Sequence, residues 1–164
     1  MTTTKYGNLK LADARALFLL ENDFAWRHRA APYHDFHHII TEYPCTIAGE
    51  VQAAAWELAA GRFRNPFATL FCLPLVALGA LRWPGLTFRA FVRGRRSSTL
   101  YAEPITRELL ATRVSALQER LLPAGAREAT PADVLAYCGL LFASFALVSA
   151  PAAAAALLYC GVAT

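Results

Sequence analysis

Residues 33–50 read YHDFHHIITEYPCTIAGE and hold three of the chain's four histidines, one aspartate and two glutamates. Pro32, just before this stretch, is tolerated in the first turn of a helix that runs through the histidines. Pro44 lacks a backbone N–H and disfavours a helical residue before it, so this helix ends there. Thr46 then suits the N-cap of a second helix, which Gly61 ends. The stretch therefore predicts two consecutive helices with titratable side chains around a short turn.

The rest of the chain also favours helices, because β-branched alternating runs are scarce. Apolar periodicity predicts further helices over residues 9–22, 66–83 with Pro74 inside it, 84–94, and about 104–122. We predict an all-α, single-domain helical bundle over residues 1–131. An apolar C-terminal helical extension follows at residues 132–164.

Composition points to an unusually apolar protein. The 164 residues are 56% hydrophobic and 17% charged, with a mean hydropathy of +0.33, whereas soluble domains are nearer half apolar and a quarter charged. Either the core is large, or some apolar surface meets lipid or a hydrophobic ligand. The net charge of +4 includes a patch of Arg89, Arg93, Arg95 and Arg96, which suits phosphate, carboxylate or an anionic membrane surface. The patch is too short to favour nucleic acid as a partner.

Cysteine spacing and the N-terminal residues predict a compartment. The four cysteines are widely spaced without a C-x-x-C pair, which is typical of a reducing cytosol rather than of a zinc ribbon. The N-terminal residues MTTTKYGNLK lack the apolar region of a signal peptide. We therefore expect a cytoplasmic protein.

The C-terminal extension has no charged residue from Val134 to Thr164. That run is long enough for one membrane span, which needs about 20 apolar residues. Pro151, however, divides it into segments of 17 and 13 residues. We predict two helices that break near Pro151, pack on the domain and line an apolar pocket, with a membrane anchor as the alternative.

The histidines have the spacing of metal ligands. At about 100° per residue, His34 and His38 lie about 40° apart on a helix, and Asp35 shares their broad face. His37 points to the other side and is the least suitable ligand. Glu50 returns over this face if the two helices pack antiparallel. Two imidazoles and two carboxylates predict a site for zinc, iron(II) or manganese.

Two other interpretations of this cluster exist. The histidines can form a polar network at a helix end, although the concentration of nearly all histidines beside two carboxylates favours a metal. The phosphohydrolases named after a His-Asp doublet need a further upstream histidine and a downstream aspartate on separate helices. Asp133 is the only aspartate after Asp35, so this class fits poorly.

The residues His34, Asp35, His38 and, after eleven intervening residues, Glu50 resemble the HDxxH-x11-E motif of the coenzyme Q biosynthesis protein 4 family. The stretches AGEVQAAAWELAAGR and FVRGRRSSTLYAEPITRELL also resemble that family, and the resemblance covers residues 8–122. It implies an all-helical metal-binding domain, residues 1–131, that holds a divalent ion, commonly zinc, through His34, Asp35, His38 and Glu50. Glu50 or Asp35 would leave the ion to act as the catalytic base.

The resemblance also implies a function. The family acts in ubiquinone formation, so we expect a metal-dependent oxidative decarboxylase of the 4-hydroxy-3-methoxy-5-polyprenylbenzoate type. The absence of a mitochondrial presequence points to a bacterial member in the cytoplasm or at the periphery of the inner membrane. The uncharged tail is not part of the family pattern, and it leaves open a paralogue for a polyketide or terpenoid.

Three functions therefore remain open from the sequence. They are the decarboxylase, a cyclase or lyase of specialised metabolism with the same fold, and a non-catalytic lipid-binding scaffold. As partners we expect a lipophilic small molecule, other biosynthetic enzymes, a peripheral membrane contact and further copies of the chain, but no nucleic acid.

Overall fold

The chain folds into helices throughout the described residues, which are 4–22, 32–61, 66–122 and 128–162 of a computed structural model. These residues contain eight α-helices and no strand, which confirms the predicted fold class. In chain order the helices are α1 (Leu11–Asn22), α2 (Pro32–Thr41), α3 (Ile47–Ala60), α4 (Pro66–Arg82), α5 (Pro84–Gly94), α6 (Arg107–Ala111), α7 (Val114–Leu121) and α8 (Pro131–Val162). A short 3-10 turn, Leu100–Ala102, lies between α5 and α6.

The local signals around the histidine stretch act as the sequence predicts. Helix α2 begins at Pro32. The Thr46 hydroxyl caps α3 by accepting a hydrogen bond from the Gly49 N–H at 3.2 Å. Gly61 ends α3 with a φ of 72°, a left-handed conformation that glycine adopts without a steric penalty.

The amphipathic segment predicted over residues 104–122 is divided into two helices, α6 and α7. Thr112 and Arg113 between them are extended, because this part of the backbone pairs with the N-terminal segment. The Leu11 N–H donates to the Thr112 carbonyl at 2.8 Å, and the Val114 N–H donates to the Leu9 carbonyl at 2.9 Å. A long-range backbone pairing thus interrupts a helix that the local pattern favours.

Two clusters of buried apolar side chains form the interior. The first lies among α1, α2, α6 and α7 and contains Leu11, Phe18, Phe36, Ile39, Ile40, Val114 and Leu117. The second lies among α3, α4, α5 and the start of α8 and contains Ala54, Ala55, Trp56, Val76, Phe91 and Tyr137. Helices α2 and α3 contribute to different clusters and contact each other. The titratable side chains of both helices therefore lie between the two apolar clusters.

Helices α3 and α5 approach each other closely at a glycine. A Cβ atom on Gly94 would collide with the backbone carbonyl of Trp56 and lie 2.9 Å from the Cβ of Ala59. The small residues of α3 and α5 thus fix the distance between these two helices. Close packing of this kind restricts the positions of the side chains that α3 carries.

The C-terminal extension differs from the prediction of a helical pair. It is one continuous helix, α8, with Pro151 inside it. The extension packs on α4, as predicted, but only 11% of the apolar window within Pro131–Pro151 is buried, so this part of it is not enclosed in the interior. An internal proline removes one backbone hydrogen bond and perturbs a helix locally, and here the helix continues through it. By length and composition, α8 is able to cross a membrane.

Candidate metal centre

Three of the four predicted ligands meet at one point between α2 and α3. The Nε2 atoms of His34 and His38 are 3.0 Å apart. Glu50 Oε2 lies 3.0 Å from His34 Nε2 and 3.5 Å from His38 Nε2. Ligand atoms about 2.0–2.1 Å from a tetrahedral ion lie roughly 3.3–3.5 Å from one another. The three atoms are close enough to hold a metal ion. The longest side of the triangle matches the spacing around a zinc-like ion, and the two 3.0 Å sides are about 0.3 Å shorter than that spacing.

Local structure brings these side chains together. His34 and His38 are one turn apart on α2, as their spacing predicts. The chain reverses at Glu42, whose φ of 62° is left-handed, and Thr46 then caps α3. Glu50 lies in the first turn of α3 and so faces back toward α2.

The outer nitrogen of each imidazole in the triangle has a hydrogen-bond partner. His38 Nδ1 donates to the Tyr43 carbonyl at 2.8 Å, and a carbonyl only accepts. His34 Nδ1 lies 3.1 Å from Glu57 Oε1. These partners place a proton on each Nδ1, so in the neutral rings each Nε2 presents a lone pair to the centre. Two lone pairs 3.0 Å apart repel unless a proton or a metal ion lies between them.

In the metal-free protein the neighbouring carboxylates favour a proton at this position. Burial disfavours a charged imidazole, but the carboxylates of Glu57 and Glu50 outweigh it and raise the pKa of His34 to about 10. Burial would likewise raise the pKa of both carboxyl groups, yet the histidines hold the pKa values of Glu50 and Glu57 well below their usual range. A divalent ion would replace the His34 proton and keep both carboxylates compensated.

Glu57 is the residue that the sequence analysis missed. Its side chain is buried, and Oε1 accepts hydrogen bonds from His37 Nδ1 at 2.7 Å and from the Tyr101 hydroxyl at 2.9 Å, besides the contact with His34. His37 Nε2 in turn accepts the Leu100 N–H at 3.0 Å. His37 therefore has a structural role outside the ligand triangle. The spacing of the two glutamates could have identified Glu57 from the sequence, because it follows Glu50 by two helical turns and lies on the same face of α3.

Cys72 lies beside this network but does not resemble a ligand. Its Sγ is 4.0 Å from Glu57 Oε2. Burial, together with the charges of Glu57 and Glu50, raises the pKa of Cys72 to about 12. The thiol therefore keeps its proton near neutral pH, whereas a metal-bound cysteine is a thiolate.

Asp35, the fourth predicted ligand, faces away from the triangle. Its buried carboxylate forms an ion pair with Arg15 of α1, with Oδ2 at 3.0 Å from Nη2 and 3.2 Å from Nε. The rotation of about 100° between neighbouring residues turns Asp35 from α3 toward α1. The structure thus brings together His34, His38 and Glu50 and leaves Asp35 in another interface.

Comparisons with protein-family models, with curated proteins and with solved structures gave no match for this chain. The resemblance to the coenzyme Q biosynthesis protein 4 family therefore rests on the motif residues and the two flanking stretches.

Proposed function

We propose that this protein is a metal-dependent enzyme that acts on a lipophilic aromatic substrate, with His34, His38 and Glu50 as ligands. The observation that carries the proposal is the ligand triangle, in which two imidazole Nε2 atoms and a carboxylate oxygen converge within 3.0–3.5 Å. A purely structural network does not require two Nε2 atoms to face each other. Elemental analysis of the purified protein and of His38→Ala tests this, with about one divalent ion per chain expected only in the wild type.

The ligand set is typical of catalytic rather than structural sites. Three protein ligands leave coordination positions open for water or substrate. Two histidines and one carboxylate occur both in zinc hydrolases and in non-haem iron(II) oxygenases. An ion bound by His34, His38 and Glu50 would supply a positive charge that holds a substrate carboxylate or phenolate and stabilises negative charge on the ring. The family resemblance implies zinc, which has no redox chemistry. Iron(II) is the alternative that can also transfer electrons.

The exposure of the ligands defines which side a substrate would approach. The side chains of His34 and Glu50 are 21% and 26% exposed, whereas His38 is buried. The open side of the centre is therefore the side of His34 and Glu50. Glu50 combines this partial exposure with a carboxylate oxygen that contacts both imidazoles, so it is the ligand that a substrate would meet first. The histidines hold the pKa of Glu50 low, so it would accept a substrate proton only after leaving them and the ion.

An apolar groove lies between α1 and α2, on the side of the Asp35–Arg15 ion pair. None of its walls belongs to the ligand triangle, so we assign it only to the apolar chain of the proposed substrate. The volume of the groove is about 520 Å³, within the range of small-molecule sites. Its walls are formed by Ala12, Arg15, Ala16, Leu19, Leu20, Pro32, Phe36, Ile105 and Leu110. Each methylene group buried there contributes about 0.8 kcal/mol. Ala16→Trp should obstruct the groove and weaken substrate binding without changing the metal content. Leu17→Trp, on the same helix but outside the groove walls, should leave substrate binding unchanged.

The reaction that the resemblance implies is an oxidative decarboxylation. The ring carboxylate leaves as CO2 and a hydroxyl group takes its place, so the reaction needs a two-electron oxidant such as dioxygen. Zinc has no redox chemistry, and activity with dioxygen as sole oxidant would therefore require iron or manganese.

A turnover assay separates this function from the alternatives. The protein is loaded in turn with zinc, iron(II) and manganese and incubated with a 4-hydroxy-3-methoxybenzoate that carries a prenyl chain. Mass spectrometry of the product should detect a hydroxyl group in place of the carboxylate, and Glu50→Gln should abolish the reaction. Substrate that binds but stays intact with all three ions would instead support a non-catalytic lipid-binding scaffold.

A further inference from the structure

We propose that the exposed faces of α8 and α4 contact the hydrocarbon region of a lipid bilayer. This inference does not depend on the metal centre, because none of its residues belongs to that site. It concerns the residues of α8 up to Pro151 and the residues of α4 from Thr69 on, whose side chains the structure describes.

The first observation is that α8 has no polar face. After Asp133 the sequence of this helix contains no charged residue, and its window within Pro131–Pro151 has a mean hydropathy of 1.9. A helix that is apolar all round is either buried in a protein core or inserted in a membrane. Only 11% of this window is buried. The core explanation therefore fails for α8, and the membrane explanation remains.

The second observation is that α4 adds apolar side chains next to α8. The two helices pack against each other. The large exposed side chains of α8 are Val134, Leu135, Phe142, Phe145 and Val148, and those of α4 are Leu70, Phe71, Leu78 and Leu81. Phe71 and Phe142 are 83% and 79% exposed, respectively. Exposed apolar surface on two packed helices is far more than the single scattered side chains of ordinary protein surfaces.

The third observation is the way the start of α8 is fixed to the domain. Asp133 Oδ1 accepts from Arg95 Nε at 2.8 Å, and Asp133 Oδ2 accepts from Arg96 Nη2 at 2.6 Å. The ring of Tyr137 packs against Phe88 and Phe91 at 5.1 Å each. These contacts compensate the last charge before the apolar run. Two arginines of the basic patch, Arg95 and Arg96, therefore fix the start of α8 to the domain.

The length of α8 suits a bilayer better than a second copy of the chain. The candidate span Pro131–Pro151 has 21 residues, and about 20 helical residues cross the hydrocarbon region. A protein interface usually has an apolar centre and a polar rim that stays in water, and α8 offers no such rim. Pro151 is compatible with insertion, because internal prolines are tolerated in membrane helices.

The test uses the full-length protein and vesicles of phosphatidylethanolamine and phosphatidylglycerol. Protein purified in a mild detergent is mixed with the vesicles, the detergent is removed, and the bound fraction is measured by flotation over a range of lipid concentrations. The wild type should float, and should stay bound in 1 M salt, because salt does not screen apolar burial. Leu135→Asp/Phe142→Asp should lower the partition coefficient at least 100-fold. Ile47→Asp, an equally polar change at an exposed residue of α3, should have no effect.

A native cysteine reports on the contact independently. Cys138 is exposed on α8, whereas Cys45 lies outside both helices. Vesicle binding should slow the modification of Cys138 by a water-soluble maleimide at least tenfold and leave that of Cys45 unchanged. Equal flotation of the double variant and the wild type would overturn the proposal. The proposal would also be overturned if the wild-type protein formed a defined dimer in solution and did not bind to the vesicles.

Discussion

Replacement of Glu57 by glutamine tests whether this buried carboxylate organises the metal centre. Glu57 Oε1 accepts from His34, His37 and Tyr101 at 3.1, 2.7 and 2.9 Å. Glutamine keeps an acceptor oxygen but removes the charge, which roughly halves the strength of each bond. At about 1 kcal/mol lost per bond, the free energy of unfolding of the metal-free protein should fall by about 3 kcal/mol. For a domain of this size, Tm should fall by roughly 6–12 °C.

Metal affinity gives a more specific readout, because His34 must release its proton to bind an ion. In the metal-free wild type the pKa of His34 is raised to about 10. The affinity should therefore rise about tenfold per pH unit between about pH 7 and 8.5. In Glu57→Gln the pKa of His34 falls, so this dependence should flatten. Loss of the orienting carboxylate should also weaken the intrinsic affinity about 10- to 100-fold, and the two affinity curves should diverge as the pH rises.

The assay is a chelator-buffered zinc titration at several pH values, with the number of released protons measured by calorimetry in two buffers. Glu119→Gln removes one carboxylate from an exposed position of α7 and is the matched control. It should follow the wild type in stability, affinity and proton release. If Glu57→Gln also releases as many protons as the wild type and binds zinc equally well, then Glu57 does not control His34 and the reasoning is refuted.

Three further predictions concern neighbouring residues. His38→Ala should lose the metal while His37→Ala keeps it but melts at a lower temperature, and equal metal contents in elemental analysis would contradict the ligand triangle. Asp35→Asn should keep about one ion per chain and lose about 3 kcal/mol of stability in urea denaturation, because it removes the buried negative charge that pairs with Arg15; loss of the ion would restore Asp35 as a ligand. The stability of the metal-free protein that depends on the His34 proton should be fully present below about pH 6.5 and decline as the pH rises toward about 10. Thermal melts of the Glu50→Gln variant should show a weaker decline, and an unchanged profile would contradict the ion pair.

The sequence alone determined the helices around the centre and three of its side chains. Pro32, Pro44, Thr46 and Gly61 act within a few residues of themselves, so the ends of α2 and α3 were predictable. The one-turn spacing that aligns His34 with His38 is a property of any α-helix. These features depend only on neighbouring residues, and the folded structure has them as the sequence predicts.

The tertiary structure alone decided what lies opposite each face of these helices. Asp35 is adjacent to His34 in sequence, yet α1 packs on its side of α2 and supplies Arg15 as its partner. Glu57 had no motif to mark it, because its role depends on His37 and Tyr101 arriving from other elements. Helix α8 continues through Pro151, and its apolar window before that residue is largely exposed, although a local rule predicted a break and burial. Periodicity fixes which side chains share a face, but the partner of that face is set by contacts between segments far apart in the sequence.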